Sequence, residues 1–486
     1  MLVRKLALVG LLSLLTALPV MAQSADAPKL PETQAGQRVA AYIQAFNSGD
    51  EQLMRAFIAA NVAPSALQQR PVDARIEVYR EMRAEIGTLT LRRVSEARAD
   101  AITIAAQSKQ GELLTLGFVF EPAPPHKLLG LRIEQGEAPT ANAPESSVPA
   151  VMSEQEVLQS IEKYLNERVA ADEFSGTVLV AKQGQPIWQR AYGLASKEYN
   201  VPNRLDTKFN LGSINKLFTQ IAIGQLVEQG KLAYDDKLGK YLPDYPNRDA
   251  AEKVTIKHLL AMTSGIGDFF GPKYQATPKN NLRTIKDYLP LFAAEPLAFA
   301  PGTQNQYSNG GYIVLGAIIE QVTGQDYYEY VRAHIFQPAG MTDTDWYEAD
   351  QPTPNLASGY TREGAGGPSG SPRRNNIYTR PAKGSPAGGG YSTAEDMLKL
   401  ARALASGKLH VPNFRQASAA GSPNTTGQPA QTFSGIGIAG GSLGINAIFE
   451  VDPDSGYTVI VMSNYDPPSA EQVGRQLRGW LKQIKR

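Results

Sequence analysis

The run Leu211-Gly212-Ser213-Ile214-Asn215-Lys216-Leu217-Phe218-Thr219 constrains this 486-residue chain more than any other stretch. From Ile214 onward it reads as a strongly apolar helix, with Leu217, Phe218, Ile221, Ala222 and Leu226 recurring at helical spacing. Positions i and i+3 share a helix face, so a fold built on this helix sets the Ser213 hydroxyl beside the Lys216 amine at its N-terminus. A serine hydroxyl is a poor nucleophile unless a neighbour takes its proton. A lysine does so when burial lowers its pKa enough to leave the amine neutral. An isolated Ser-x-x-Lys is also met as a helix cap followed by a solvated lysine, so the rest of the chain has to decide.

The chain is too long for one ordinary core, which predicts two or three domains. Arg4 and Lys5 precede an apolar run from Leu6 to Val20, and Val20-Met21-Ala22 is a small-residue cleavage pattern. Residues 1–22 therefore read as a secretory signal peptide, cut after Ala22 (or Ala25), and the expected location is periplasmic or extracellular. The apolar core of the leader is short for a membrane-spanning helix, and no later stretch reaches that length. Lys and Arg number 48 against 47 Asp and Glu, and the leader removes two of the basic residues, so the mature chain is close to neutral. That balance leaves no electrostatic footprint for nucleic acid. Zero cysteines exclude disulfides, thiolate metal sites and a cysteine nucleophile. His126, His258, His334 and His410 are scattered, without a His-Glu-x-x-His arrangement, so no metal is expected.

Toward the N-terminus the periodicity changes once. Helical spacing marks Gln37–Phe46, a second helix after Asn47-Ser48-Gly49-Asp50 (Leu53, Met54, Phe57, Ile58), and a third over Val72–Ile86. Period-two alternation then marks strands at Thr88–Val94, Ala101–Gln107, Leu113–Phe120 and Leu128–Ile133. Helices first and an antiparallel meander after them predict a small α+β domain over residues 35–135. With Pro124-Pro125-His126 before its last strand, the block resembles a nuclear-transport-factor-like cone domain. That resemblance implies an accessory, non-catalytic module through which the chain could form a homodimer. Gln135–Pro149 is rich in Ala, Pro, Glu and Ser, and residues 136–152 read as a linker to a larger domain over 153–486.

That larger domain begins with a helix (Val157, Ile161, Leu165, Val169) and a hairpin of Gly176–Lys182 and Pro186–Leu194. An irregular helical region runs from His258 to about Ala339. Pro352–Ala387, rich in Pro, Gly and Arg, reads as a long surface excursion. Ser392-Thr393-Ala394-Glu395 has capping-box spacing with Glu395 in the capping role. A hairpin of Asn446–Val451 and Tyr457–Ser463, then an amphipathic helix, close the chain.

Tyr307-Ser308-Asn309 adds a tyrosine able to relay a proton and an amide able to bind a substrate carbonyl. Taken together, Ser213-x-x-Lys216, Tyr307-x-Asn309 and Gly440-Gly441 before a terminal hairpin resemble the serine β-lactamase, penicillin-binding-protein and esterase superfamily. The class C and D-peptidase branch is the nearest. His258-Leu259-Leu260 with Thr263-Ser264-Gly265, Thr323-Gly324, Gly340-Met341 and Ala387-Gly388-Gly389-Gly390-Tyr391-Ser392-Thr393 support it, over roughly residues 153–486. The resemblance implies an α/β (α+β) fold: a β-lactamase-like antiparallel sheet flanked by helices, plus a helical insertion, with the site between sheet and insertion. It implies Ser213 as the acylated nucleophile, Lys216 as the base that activates it and Tyr307 as proton relay. Asn309, Gly440 and Gly441 would bind substrate, and the backbone N–H groups of Ser213 and Gly441 would form an oxyanion hole. An ester, amide or β-lactam-type substrate, small molecule or peptide, would be hydrolysed through a covalent acyl-enzyme with no cofactor.

One motif departs from the pattern. The strand lining the site usually carries Lys or His two residues before the first glycine of this pair, whereas this chain reads Gly437-Ile438-Ala439-Gly440-Gly441. Ile438 can neither hold a substrate carboxylate nor help poise Tyr307. Two readings stay open: a hydrolase for apolar or neutral esters and amides, or a weakened penicillin-binding or ligand-sensing protein. Gly440-Gly441-Ser442-Leu443-Gly444 matches the Gly-x-Ser-x-Gly nucleophile elbow in spacing, but that elbow requires a helix after the serine, and a strand is expected here.

Overall fold

The terminal hairpin, whose strand Tyr457–Ser463 is buried along its whole length, builds the centre of the larger unit. The computed structural model describes residues 29–135, 152–362, 372–412 and 435–484, apart from 70, 99, 110, 112, 122 and 123. The signal peptide expected at 1–22 and the linker residues 136–151 lie outside the described residues. The chain divides into two compact units, Met1–Ser147 and Val148–Arg486.

In the smaller unit, helices α1 (Gln34–Ser48), α2 (Glu51–Asn61), α3 (Pro64–Gln69) and α4 (Val72–Ile86) precede strands β1 (Thr90–Ala97), β2 (Ala101–Gln107), β3 (Leu113–Phe120) and β4 (Leu128–Gln135). The strands form an antiparallel sheet in sequence order. The first helix ends at Gly49, whose φ of 71° suits a residue without Cβ, and the second starts where the Asp50 carboxylate accepts the Gln52 N–H at 2.8 Å. Val39, Phe46, Ile76, Ile104, Leu116 and Phe118 form its core. Six-residue α3 escaped the sequence reading because it is too short to show a period.

In the larger unit, helix α5 (Glu154–Ala170) opens with a Ser153/Glu156 capping box. Strands β5 (Gly176–Lys182) and β6 (Gln185–Tyr192) join Ile436–Ser442, Ile445–Asp452 and Tyr457–Ser463 in one five-stranded antiparallel sheet. The order across it is Ile436–Ser442, Ile445–Asp452, Tyr457–Ser463, β5, β6, so the hairpin of β5 and β6 meets the C-terminal strands along β5 and Tyr457–Ser463. Both faces are apolar because both are covered. Val178, Val180, Val459 and Val461 face α5 and the closing helix Ser469–Leu481. Leu179, Ala181, Ile460 and Met462 face the main core, which is filled by α6 (Lys216–Glu228) and the buried helix Asn309–Thr323. Among the described residues no helix is long and apolar enough to cross a membrane.

Two local expectations are corrected. Glu395 does not cap its helix: Ser392 pairs with Phe209 in a short strand, which holds Thr393 extended, and the helix starts one residue later. The cap is the Thr393 hydroxyl, accepting the Asp396 N–H at 3.1 Å, while Glu395 faces Arg402. The segment Pro352–Ala387 is not wholly a surface excursion either, since Tyr360, Ala382, Gly384 and Ala387 are buried. Tyrosine hydroxyls draw its second half inward: Tyr274 donates to the Thr379 carbonyl, Tyr288 to Lys383 and Tyr328 to Gly384, at 3.2, 2.7 and 2.8 Å.

Candidate active site

Ser213 sits on a single 3₁₀ turn, Gly212–Asn215, that runs straight into α6. Gly212 has φ of 51°, and its N–H is capped by the Asn210 side chain at 2.9 Å. A Cβ at Gly212 would lie 2.8 Å from the Gly441 nitrogen, and one at Gly440 only 2.0 Å from the Leu211 carbonyl oxygen. Only glycine at both places lets the strand Ile436–Ser442 press against the nucleophile turn. Gly440 is thereby buried behind the turn and does not line the cavity in front of Ser213, whereas Gly441 does. The substrate-binding role expected of Gly440 becomes one of close packing.

Lys216, Tyr307 and Asn309 converge on Ser213. The Ser213 and Tyr307 hydroxyls are 2.5 Å apart. Lys216, 3% exposed, has its Nζ 3.2 Å from Ser213 Oγ, 2.7 Å from Asn309 Oδ1 and 2.6 Å from the Ala387 carbonyl oxygen. Burial lowers the Lys216 pKa to about 7, with the charge of Asp268 opposing the shift. A neutral amine has two hydrogens and one lone pair. The Asn309 and Ala387 oxygens accept only, so they take both hydrogens and leave the lone pair for the Ser213 O–H. Burial also raises the Tyr307 pKa, while its hydrogen bond with Ser213 pulls the other way. Tyr307 is therefore a protonated donor at neutral pH. The ring, 49% exposed, lies over the amine, with Lys216 Nζ 4.7 Å from its centroid.

Two members of this site receive no chemical role from the motifs. Asp268 Oδ2 accepts from both the Asn309 side-chain amide (2.6 Å) and its backbone N–H (3.3 Å), which turns Asn309 Oδ1 toward Lys216. An acid set between Gly267 and Phe269 is the trace that sequence reading could have followed. The Ala387 carbonyl is aimed by the residue before it, because the buried Thr219 hydroxyl on α6 donates to the Pro386 oxygen at 2.8 Å. Ile438 packs against the main core and is not among the cavity-lining residues.

In front of Ser213 lies a cavity of about 300 Å³. Its walls are Phe269, Phe270, Tyr274, Tyr288 and Tyr347 on the insertion side and Leu443 with Ile445 on the sheet side. The segment Thr379–Ala382, folded back by the tyrosines, closes the remaining side. Ser213 and Gly441 both line this space.

The family model "Beta-lactamase" matches residues 161–481. A Bacillus subtilis (strain 168) relative described as "Putative penicillin-binding protein PbpX" is 31% identical over 310 residues, 63% of this chain and 73% of the relative. Esterase EstB of Burkholderia gladioli is 38% identical over 184 residues, 35% of this chain, and the alignment spans 47% of the esterase. Among solved structures, a penicillin-binding protein from Bacillus halodurans superposes with a TM-score of 0.55 at 32% identity, covering 64% of this chain and 98% of that one.

Proposed function

The chain belongs to the beta-lactamase family of serine hydrolases, and from that premise we propose that it is an exported hydrolase working through an acyl-enzyme on Ser213. The observation that carries the reading is the pair of obligate acceptors on Lys216, which reserves the amine lone pair for Ser213. The Ser213 proton passes to Lys216 as Oγ attacks the substrate carbonyl. Negative charge collects on the carbonyl oxygen beside the N–H groups of Ser213 and Gly441. Collapse breaks the bond to the leaving group, which takes a proton from Tyr307, and the proton held by Lys216 restores the tyrosine. Water then attacks the Ser213 ester by the same route in reverse, releasing the acid and the free hydroxyl.

The substrate class is an ester, amide or β-lactam small enough for an aromatic-walled space of about 300 Å³. The test combines a short-chain p-nitrophenyl ester, a fluorescent penicillin and intact-mass measurement. Turnover with a transient adduct on Ser213, lost by at least about 10³-fold in Ser213→Ala, is the expected result. A stable adduct without turnover would replace this reading by an acylating, ligand-sensing protein. Turnover that survives in Ser213→Ala would remove the nucleophile altogether.

A further inference from the structure

Arg380 is the one charged residue lining the cavity among the described residues. It lies in the segment that three tyrosine hydroxyls draw inward. Its Nη1 donates to Tyr391 Oη at 2.8 Å, and the guanidinium lies 5.9 Å from the centre of that ring. Tyr391 pairs in a short strand with Asn210, the residue that caps Gly212 beside the nucleophile. Arg380 is thus tied to the same framework as Ser213, through a different element.

Other arginines of the larger unit are held in ion pairs. Arg283 pairs with Glu348 and Asp350, Arg332 with Glu329 and Asp345, and Arg373 with Asp172 and Asp466. Arg380 forms no ion pair with any described carboxylate, and Tyr391 takes only one of its five N–H donors. A permanently charged fork with unspent donors, facing an aromatic-walled space beside a nucleophile, fits a planar oxyanion on an apolar body.

We propose that Arg380 sets specificity by binding a carboxylate on the substrate, so that the preferred substrates are carboxylate-bearing esters or amides with an aromatic or aliphatic body. This rests on the reading of Ser213 as nucleophile only for where the scissile bond lies. The cation that the strand lacks at Ile438 is supplied from the folded-back segment. A substrate carboxylate spans from Arg380 across the cavity, placing its carbonyl at Ser213.

Binding of inert probes tests this apart from turnover. By calorimetry on the full chain, 4-phenylbutyrate should bind at least about tenfold more tightly than 4-phenylbutanol, a difference of one charge-assisted hydrogen bond. Arg380→Gln should erase that preference, and Arg380→Lys should restore part of it. Equal affinity of the two probes for the wild type overturns the proposal without any variant. A preference that persists in Arg380→Gln also overturns it, by placing the carboxylate at the Ser213 and Gly441 N–H groups instead. Absence of ester turnover with the binding preference intact would fail the acyl-enzyme reading and leave the Arg380 assignment standing.

Discussion

Lys216 and Asp172 are both crowded charged groups, and their surroundings give them opposite fates. Lys216 is enclosed by neutral dipoles: two carbonyl-type oxygens and a hydroxyl. Its charge is not matched by a carboxylate in contact, so burial wins and the pKa falls to about 7. Asp172 receives the Tyr465 hydroxyl at 2.6 Å and the cations of Lys197, Arg362 and Arg373 at 3.2, 2.8 and 3.3 Å. Burial raises its pKa, but the hydrogen bonds from Tyr465 and Lys197 and the nearby cations outweigh it, and the net shift is downward. The first group changes protonation at neutral pH, and the second keeps its charge throughout the physiological range. What separates a chemical site from a structural one here is the charge of the partners together with the depth of burial: Lys216 is 3% exposed among neutral dipoles, whereas the Asp172 side chain is 43% exposed among cations.

The largest effect expected on the Lys216 side is that of Lys216→Met. Loss of a positioned general base costs about 10²–10⁴-fold in rate, so steady-state hydrolysis of a p-nitrophenyl ester should fall by that range while the fold persists. In the wild type, kcat/KM should rise with pH through a midpoint near 7, because the amine must be neutral to accept the Ser213 proton. A flat profile between pH 6 and 8 would mean that Lys216 is not the base.

The same contrast explains how much was legible in the sequence. Strands β5 and Tyr457–Ser463 are readable because a short apolar run bounded by turn residues is a local signal, and Ser213 with Lys216 because i and i+3 fix a shared face. The partners that make Lys216 neutral are not. The Ala387 carbonyl is a backbone group with no side-chain signature. Its aim depends on Thr219, remote in sequence. Asp268 sits in a loop, and no spacing rule ties it to Asn309. The path of Thr379–Gly384, and with it Arg380, is set by hydroxyls of Tyr274, Tyr288 and Tyr328, so a Pro- and Gly-rich composition looked like surface. Ile438 offers no cation on the strand, and Arg380, the one charged residue lining the cavity among the described residues, lies outside that strand.

On the Asp172 side the expected loss is one of stability. Asp172→Ala leaves Arg373, whose side chain is 7% exposed, with the backbone carbonyl of residue 172 at 2.9 Å and, among the described residues, Asp466 at 3.6 Å as its one carboxylate partner. Asp172 is itself 43% exposed, so solvent screening limits the cost to roughly 1–3 kcal/mol in a urea titration. Since the native pKa of Asp172 is depressed, this stability is present above its unfolded-state pKa and is lost as pH falls through the native value. Removing the carboxylate should therefore matter at pH 7 and vanish in strong acid, and the midpoint of the pH–rate profile should not move. A shifted midpoint would join the two clusters that the structure keeps separate.

Asp268→Asn gives the smallest effect and the sharpest test, because Asp268 is the charged residue that reaches toward Lys216. The asparagine can still accept from Asn309, so the amide orientation survives and kcat/KM at pH 8 should drop by roughly tenfold or less. The charge does not survive. It is the contribution that opposes burial at Lys216, so its removal should move the midpoint of the pH–rate profile below the wild-type value. Asp268→Ala removes both contributions and should combine the downward shift with a further fall in kcat, since nothing then prevents Asn309 from presenting its NH₂ group to the amine. A midpoint unchanged in both variants would reduce Asp268 to a loop tether. A downward shift in both, with the rate lost mainly in Asp268→Ala, would separate its electrostatic role from its part in aiming Asn309 Oδ1.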